Sequence, residues 1–127
     1  MTTILCIDDN DLGSNLVRLY LERVNYECVL VNSGAKGLDM AREVMPDCII
    51  VDLMMPKITL DGWDTIAAIK SDEQLAHIPI VVLTALSVEN AKQRAFDAGC
   101  DAYLNKPSNP AELRACIDKV IGQSSPP

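Results

Sequence analysis

Short apolar runs alternate with amphipathic stretches along most of the chain, and this alternation limits the possible folds more than any other feature. The apolar runs lie at residues 4–8, 27–31, 48–52, 78–84 and 102–106, and their lengths are typical of buried strands. The stretches with helical spacing lie at residues 12–24, 34–45, 62–72, 88–99 and 111–121. This order predicts an α/β domain with a doubly wound parallel sheet and helices on both faces. The first, third and fourth runs are apolar on both faces, so we expect them in the middle of the sheet.

Individual residues refine the helix predictions. Ser33 and Ser87 are predicted N-caps of the second and fourth helices. In the first helix, Leu16, Leu19 and Val24 share one predicted apolar face. We therefore expect this face to be the one that covers the sheet.

The composition describes an ordinary globular domain and argues against several classes of function. The 127 residues are 49% hydrophobic and 23% charged, and the apolar runs are too short to cross a membrane. A formal net charge of −7 argues against direct binding of nucleic acid, because few cations are available to neutralise phosphates. The five cysteines lack metal-site spacing, and Cys6, Cys28 and Cys48 lie inside apolar runs. With no leader visible, we expect a cytoplasmic protein with reduced thiols.

Chemically capable side chains follow or end four of the five apolar runs. Asp8 and Asp9 end the first run, Asp52 the third, Thr84 the fourth and Lys106 the fifth. In an open parallel sheet, ligands bind beyond the carboxyl ends of the strands, near the switch in strand order. We therefore expect these five side chains to gather at one rim of the sheet.

That set of side chains suits phosphoryl transfer. Three carboxylates in one pocket repel each other unless a cation lies among them, and Mg²⁺ is the hard cation that fits best. Lys106 offers a positive charge to a phosphoryl oxygen, and Thr84 offers a hydroxyl donor. An ionised aspartate can attack phosphorus and form an acyl phosphate. The residues therefore predict a Mg²⁺ site at which Asp52 becomes phosphorylated.

Four motifs, in order, resemble the receiver domain of response regulators in two-component signalling. They are "CIDDN" (6–10), "VDLMMP" (51–56), "VVLTA" (81–85) and "YLNKP" (103–107), and the resemblance spans residues 3–121. It implies a flavodoxin-like (βα)5 sandwich with strand order 2-1-3-4-5. We expect a receiver domain over residues 1–122 and a tail over residues 123–127.

The resemblance assigns the acceptor and the metal ligands. Asp52 is implied to be the phospho-acceptor, and Asp9 a direct ligand of Mg²⁺. Asp8 is implied to act directly or through water, and the backbone carbonyl of Met54 to complete the protein ligands together with Asp52. The implied domain catalyses its own phosphorylation and dephosphorylation and is not an enzyme with a separate substrate.

The resemblance also assigns the residues of the switch. Thr84 and Lys106 are implied to hold the phosphoryl group, and the Lys106–Pro107 peptide bond is implied to be cis. Tyr103 is implied to rotate inward when Thr84 moves toward the phosphate.

Two kinds of protein partner follow from the resemblance. The phosphoryl donor is implied to be a histidine kinase or a histidine phosphotransfer protein. The downstream partner is a protein effector that contacts the face formed by the fourth helix, the fifth strand and the fifth helix. The expected contributors to that face are Arg94, Tyr103, Arg114 and Lys119.

The sequence departs from the family pattern at two places. The loop after Pro56 has four residues, Lys57 to Leu60, where the family usually has two. The residue two past Asp52 is Met54, and the residue two past Thr84 is Leu86. These positions flank the route of the hydrolytic water in the family, and apolar side chains cannot orient it. We therefore expect a long-lived phosphorylated state.

Alternative interpretations remain open at this point. The "GQSSPP" end is either a natural tail or the start of a linker to a missing effector domain. A small phosphatase with an aspartyl nucleophile would need an acid where Met54 stands, and a flavodoxin-like electron carrier would need a phosphate loop after the first strand. His77 is interpreted as structural, and Met54, Met55 and Trp63 as packing residues around the loop.

Overall fold

Strands and helices alternate strictly in the computed structural model, which describes residues 1–55 and 60–124. The elements are β1 (Thr3–Ile7), α1 (Asp11–Arg23), β2 (Glu27–Val31), α2 (Gly34–Val44), β3 (Cys48–Val51), α3 (Gly62–Ser71), β4 (Ile80–Thr84), α4 (Ala91–Ala98), β5 (Ala102–Asn105) and α5 (Pro110–Ser124). Of the loop predicted to be longer, only Leu60 belongs to the described residues. The predicted tail begins inside α5, and residues 125–127 lie outside the described chain.

The five strands form one parallel sheet in the order β2-β1-β3-β4-β5, which confirms the predicted fold class. The predicted middle strands β1, β3 and β4 each have a neighbour on both sides. Every residue of β3 and β4 is buried, as expected for strands that are covered on both faces.

Alternating strand residues supply two hydrophobic cores, one on each face of the sheet. Leu5 and Ile7 of β1 pack on the face covered by α2, α3 and α4, together with Ile66 of α3. Ile4 and Cys6 point to the opposite face, where Leu21 of α1 packs together with side chains of α5. The period of two along a strand therefore divides the apolar residues between the two layers of helices.

The predicted buried face of α1 is wrong for two of its three residues. Leu16 and Leu19 are 62% and 52% exposed, whereas Leu21 is fully buried. Val17 and Tyr20 are partly buried and pack against the same core. Because α1 carries leucines on more than one side, periodicity alone did not identify the side that packs.

The start of α4 also differs from the prediction, whereas the start of α2 agrees with it. Ser33 caps α2 by accepting a hydrogen bond from the backbone N–H of Lys36 at 3.2 Å. Ser87 does not cap α4, which begins at Ala91 after Asn90 in a left-handed conformation with φ of 66°. The chain turns once more before the helix begins, so α4 has only eight residues.

The cysteines behave as small hydrophobic side chains, as predicted. Cys6, Cys28, Cys48 and Cys100 are buried, Cys116 is partly buried, and all five are free thiols. Burial raises the pKa of Cys28 to about 11 and that of Cys100 to about 12, so these thiols are poor nucleophiles.

Candidate active site at the carboxyl ends of the strands

Backbone hydrogen bonds place the residues that follow three of the strands. The N–H of Asp8 donates to the carbonyl of Val31 at 3.1 Å, and the N–H of Asp52 donates to the carbonyl of Ile7 at 3.0 Å. The N–H of Lys106 donates to the carbonyl of Thr84 at 2.8 Å. The sheet ladder therefore continues one residue past the ends of β1, β3 and β5 and orients the side chains of the rim.

Asp52 is held through both of its carboxylate oxygens. Its side chain lies at the end of β3, and the residue is 5% exposed. Oδ1 accepts a hydrogen bond from the Thr84 hydroxyl at 2.7 Å and another from the Met54 N–H at 2.9 Å. Oδ2 accepts a hydrogen bond from Lys106 Nζ at 2.8 Å. The carboxylate therefore has a defined orientation at the rim, with an ammonium and a hydroxyl beside it.

One lysine is shared between two buried carboxylates. Lys106 Nζ donates to Asp8 Oδ2 at 2.8 Å as well as to Asp52. Burial raises the pKa of the Asp8 carboxyl above its ordinary value, and the hydrogen bond from Lys106 offsets only part of that effect. Burial would lower the pKa of Lys106, but the hydrogen bonds to Asp52 and Asp8 outweigh it and raise that pKa. The pair of acids therefore keeps the lysine protonated.

The three expected carboxylates of the rim differ in exposure. Asp9 is exposed, whereas Asp8 and Asp52 are buried. Within residues 1–55 and 60–124, no group of three or more His, Cys, Asp or Glu side chains is arranged to hold a metal ion. Lys106 offsets part of the charge of the two acids that are buried together. Two buried carboxylates that already share a cation are nevertheless suitable oxygen ligands for Mg²⁺.

Thr84 and Tyr103 are both hydrogen-bonded to the backbone of Leu86. The Thr84 hydroxyl donates to Asp52, and it also accepts a hydrogen bond from the Leu86 N–H at 3.2 Å. The Tyr103 hydroxyl donates to the Leu86 carbonyl at 3.4 Å, and its ring packs against the buried core. Leu86 therefore connects the rim to the aromatic ring. The Lys106–Pro107 peptide bond is cis, as the resemblance implies.

The side chains of the other singled-out residues lie in different environments. Met54 is 51% exposed, so its side chain is not a packing residue, whereas Met55 is buried. Trp63 packs against the core, as predicted. Arg94 lies over the Trp63 ring, and Arg114 pairs with Asp118 within α5.

Gly62 is a site residue that the sequence reasoning missed. A Cβ atom at this position would lie 2.5 Å from the Leu53 Cα and 2.7 Å from the Asp52 carbonyl oxygen. Only glycine allows α3 to approach the backbone of the acceptor this closely. The Asp61-Gly62 pair at the start of a predicted helix was the available signal.

An apolar groove of about 690 Å³ lies beside the rim, between α1 and the chain that leads into α5. Its wall includes Leu16 and Leu19, two of the three exposed leucines of α1. Lys106 and Pro107 line it as well, so the groove is continuous with the candidate site.

Among the described helices, none combines the length and the apolar character that a membrane span requires.

Comparisons with known proteins agree on one family. The sequence profile of the response regulator receiver domain matches residues 4–118. The polar-differentiation response regulator DivK of Brucella ovis is 32% identical over 122 residues, which cover 96% of this chain and 98% of DivK. The structure of the chemotaxis protein CheY4 of Vibrio cholerae has a TM-score of 0.86 and 28% identity, covering 94% of this chain and 98% of that one.

A second solved structure is similar and contains a metal ion. It is the receiver domain of the sensor histidine kinase PA1611 from Pseudomonas aeruginosa, with magnesium coordinated in its active-site cleft. The TM-score is 0.86 and the identity 29%, over 95% of this chain and 98% of that chain. Profile, sequence relatives, strand order and the four motifs point to the same conclusion. The chain belongs to the response regulator receiver domain family of two-component signalling.

Proposed function

We propose that Asp52 accepts a phosphoryl group and that the chain is a phosphorylation-dependent switch that signals by contact with another protein. The observation that carries this proposal is the buried carboxylate of Asp52, which is held on both oxygens by groups that suit a phosphoryl group. Lys106 Nζ and Thr84 Oγ1 lie 2.8 Å and 2.7 Å from the carboxylate. Such donors neutralise the charge of a transferred phosphoryl group without rearranging the fold.

The proposed reaction exchanges one bond to phosphorus for another. A carboxylate oxygen of Asp52 forms a bond to phosphorus while the bond between phosphorus and the donor's nitrogen or oxygen breaks. The Lys106 ammonium then donates its hydrogen bond to a phosphoryl oxygen instead of the carboxylate. The Thr84 hydroxyl donates a hydrogen bond to another phosphoryl oxygen. Hydrolysis reverses the modification, because a water oxygen replaces the carboxylate oxygen at phosphorus.

Mg²⁺ is the proposed cofactor of this site. Asp8 and Asp52 are its ligands in this proposal because they are buried beside each other and already share the charge of Lys106. Asp9 and the backbone carbonyl of Met54 are the further ligands that the family motif implies. When bound, Mg²⁺ supplies positive charge that neutralises the transferred phosphoryl group.

The proposed donor is a histidine kinase or a histidine phosphotransfer protein, and we place its docking surface on the groove beside α1. A donor must bring its phosphohistidine to Asp52, and the groove reaches the site through Lys106 and Pro107. Leu16 and Leu19 provide exposed apolar area for a helical surface of that donor. The proposed effector surface is the α4–β5–α5 face, with Tyr103 and Lys119 among its residues.

Intact-mass spectrometry after incubation with acetyl phosphate and Mg²⁺ tests the acceptor. We expect a single phosphoryl adduct that is absent from Asp52→Asn and absent when a chelator is added. Asp39→Asn is the matched control, because Asp39 is an exposed aspartate of α2 that pairs with Arg42, and this variant should keep the adduct. An adduct that persists in Asp52→Asn contradicts the assignment. No adduct from acetyl phosphate or from a phosphohistidine donor contradicts the proposed function.

The two alternative functions gain no support from the site. The position two past Asp52 carries Met54, an exposed apolar side chain that cannot act as the general acid of an aspartyl phosphatase. The loop after β1 is Asp8-Asp9-Asn10, which repels the phosphate of a flavin.

A further inference from the structure

The first turn of α3 packs directly on the backbone of the acceptor. The closest approach is at Gly62, where even a Cβ atom would overlap with Leu53 and with the Asp52 carbonyl oxygen. No space separates the helix from this segment, so a displacement of the Asp52 backbone has to displace the start of α3.

Hydrogen bonds make that first turn a rigid unit. The Asp64 N–H donates to Asp61 Oδ1 at 2.8 Å, and the Asp61 N–H donates to Asp64 Oδ2 at 3.3 Å. The Thr65 hydroxyl donates to the Asp61 carbonyl at 2.7 Å. This capping box makes the turn move as one body and not fray residue by residue.

Trp63 belongs to the same turn and carries the contact to α4. Its indole Nε1 donates to the carbonyl of Ala91, the first residue of α4, at 3.4 Å. The guanidinium carbon of Arg94 lies 3.8 Å from the centroid of the Trp63 ring, which is the geometry of a cation–π contact. Two contacts from one side chain therefore reach the first turn of α4.

The start of α4 depends on such contacts. Asn90, its N-cap, is in the left-handed conformation and makes no capping hydrogen bond through its side chain. The helix has eight residues, too few to be stable without neighbours. On the other side, Leu86 connects the loop before α4 to Thr84 and Tyr103. The described structure thus contains two separate routes from the rim to α4.

Building on the proposed function, we propose that Trp63 and Arg94 are positioning residues that couple α4 to the phosphorylation state of Asp52, by a route separate from Thr84 and Tyr103. A shift of the acceptor backbone moves Gly62, the rigid turn carries Trp63 with it, and Trp63 moves or releases Arg94. The sequence placed Arg94 on the effector surface. In this proposal its guanidinium is available to a partner only when Trp63 releases it.

Tryptophan fluorescence tests this proposal directly, because Trp63 is the chain's single tryptophan. Emission spectra of the full chain are recorded during incubation with acetyl phosphate and Mg²⁺, and intact mass is measured on the same samples. We expect the emission to change in proportion to the phosphoryl adduct. Asp52→Asn should show neither change. Tyr103→Ala should keep the emission change, because it interrupts only the other route.

Arg94→Gln is the decisive variant, since it removes the cation from the ring at an exposed position. We expect it to form the adduct normally but to lose most of the emission change. Lys92→Gln, which removes an exposed cation from the same helix, should behave like the parent chain. Arg94→Lys should restore part of the change, because an ammonium can also lie over the ring.

Two results would overturn the coupling while leaving the proposed function intact. One is an adduct on the parent chain with no change in Trp63 emission. The other is an Arg94→Gln emission change equal to that of the parent at the same adduct level. If the parent chain forms no adduct with any donor, the mass measurement shows that the proposed function has failed, and the coupling fails with it.

Discussion

Lys106 offers the sharpest test of the electrostatic account of the rim. Its Nζ lies 2.8 Å from one oxygen of Asp8 and 2.8 Å from one oxygen of Asp52, and both carboxylate side chains are 6% exposed. Lys106→Met keeps an unbranched side chain of similar length and removes the charge. Both acids then remain buried without their shared cation.

The size of the effect follows from that geometry. Removing one partner of a buried ion pair typically costs about 3–5 kcal/mol, because the remaining charge is buried without compensation. The Lys106 side chain is 24% exposed, so water can enter the space it leaves and hydrate the acids in part. We therefore expect a loss of about 2–3 kcal/mol in the free energy of unfolding. In a domain of this size that corresponds to a decrease in Tm of roughly 8–12 °C.

Urea unfolding at neutral pH, with a chelator present to exclude divalent cations, measures this loss. Asp8→Asn in the Lys106→Met background should recover most of it, because a single carboxylate then remains. Lys36→Met is the matched control: the Lys36 side chain is exposed and donates a hydrogen bond to Asn32, so we expect a change within about 0.5 kcal/mol. A Lys106→Met chain as stable as its parent, or a double variant less stable than the single one, would refute the reasoning.

Three further predictions address lifetime, donor binding and pH. Met54→Asn should shorten the lifetime of the phosphorylated state several-fold, because the exposed Met54 side chain cannot orient the hydrolytic water. Mass spectrometry after removal of the donor measures the decay of the adduct, and an unchanged lifetime contradicts the prediction. Leu16→Asp should slow transfer from a phosphohistidine protein but not from acetyl phosphate, and equal slowing of both would argue against docking on the groove. Burial raises the pKa of Asp8 in the folded state above that of an ordinary aspartate. The free energy of unfolding therefore decreases as the pH rises from the ordinary pKa of aspartate to the raised pKa of Asp8, where the buried carboxyl ionises. Asp8→Asn should therefore be more stable than the parent at neutral pH in urea titrations, with an advantage that vanishes below the ordinary pKa of aspartate.

The sheet and most of the site could be predicted because buried strands leave a strong signal. A run of branched apolar residues that stops at a polar residue marks a strand end, and the parallel order brings those ends together. Asp8, Asp52, Thr84 and Lys106 were placed at one rim by this reasoning alone, and the structure connects all four by hydrogen bonds.

The parts that could not be predicted depend on tertiary contacts. Leu16 and Leu21 are equally apolar, and only the packing of α1 on the sheet distinguishes the exposed one from the buried one. Asp9 follows Asp8 directly, but successive residues at a strand end point in different directions, and only Asp8 turns inward. The stacking of Arg94 on Trp63 joins two helices whose relative position no local pattern encodes.

The shared lysine also has a consequence for how the protein is made. Asp8 and Lys106 are 98 residues apart in the chain, and Asp52 and Lys106 are 54 apart. During synthesis from the N-terminus, both acids leave the ribosome long before the lysine that neutralises them. The reactive constellation therefore exists only after β5 has joined the sheet. A nascent or prematurely terminated chain without β5 lacks the ammonium that holds Asp8 and Asp52 together.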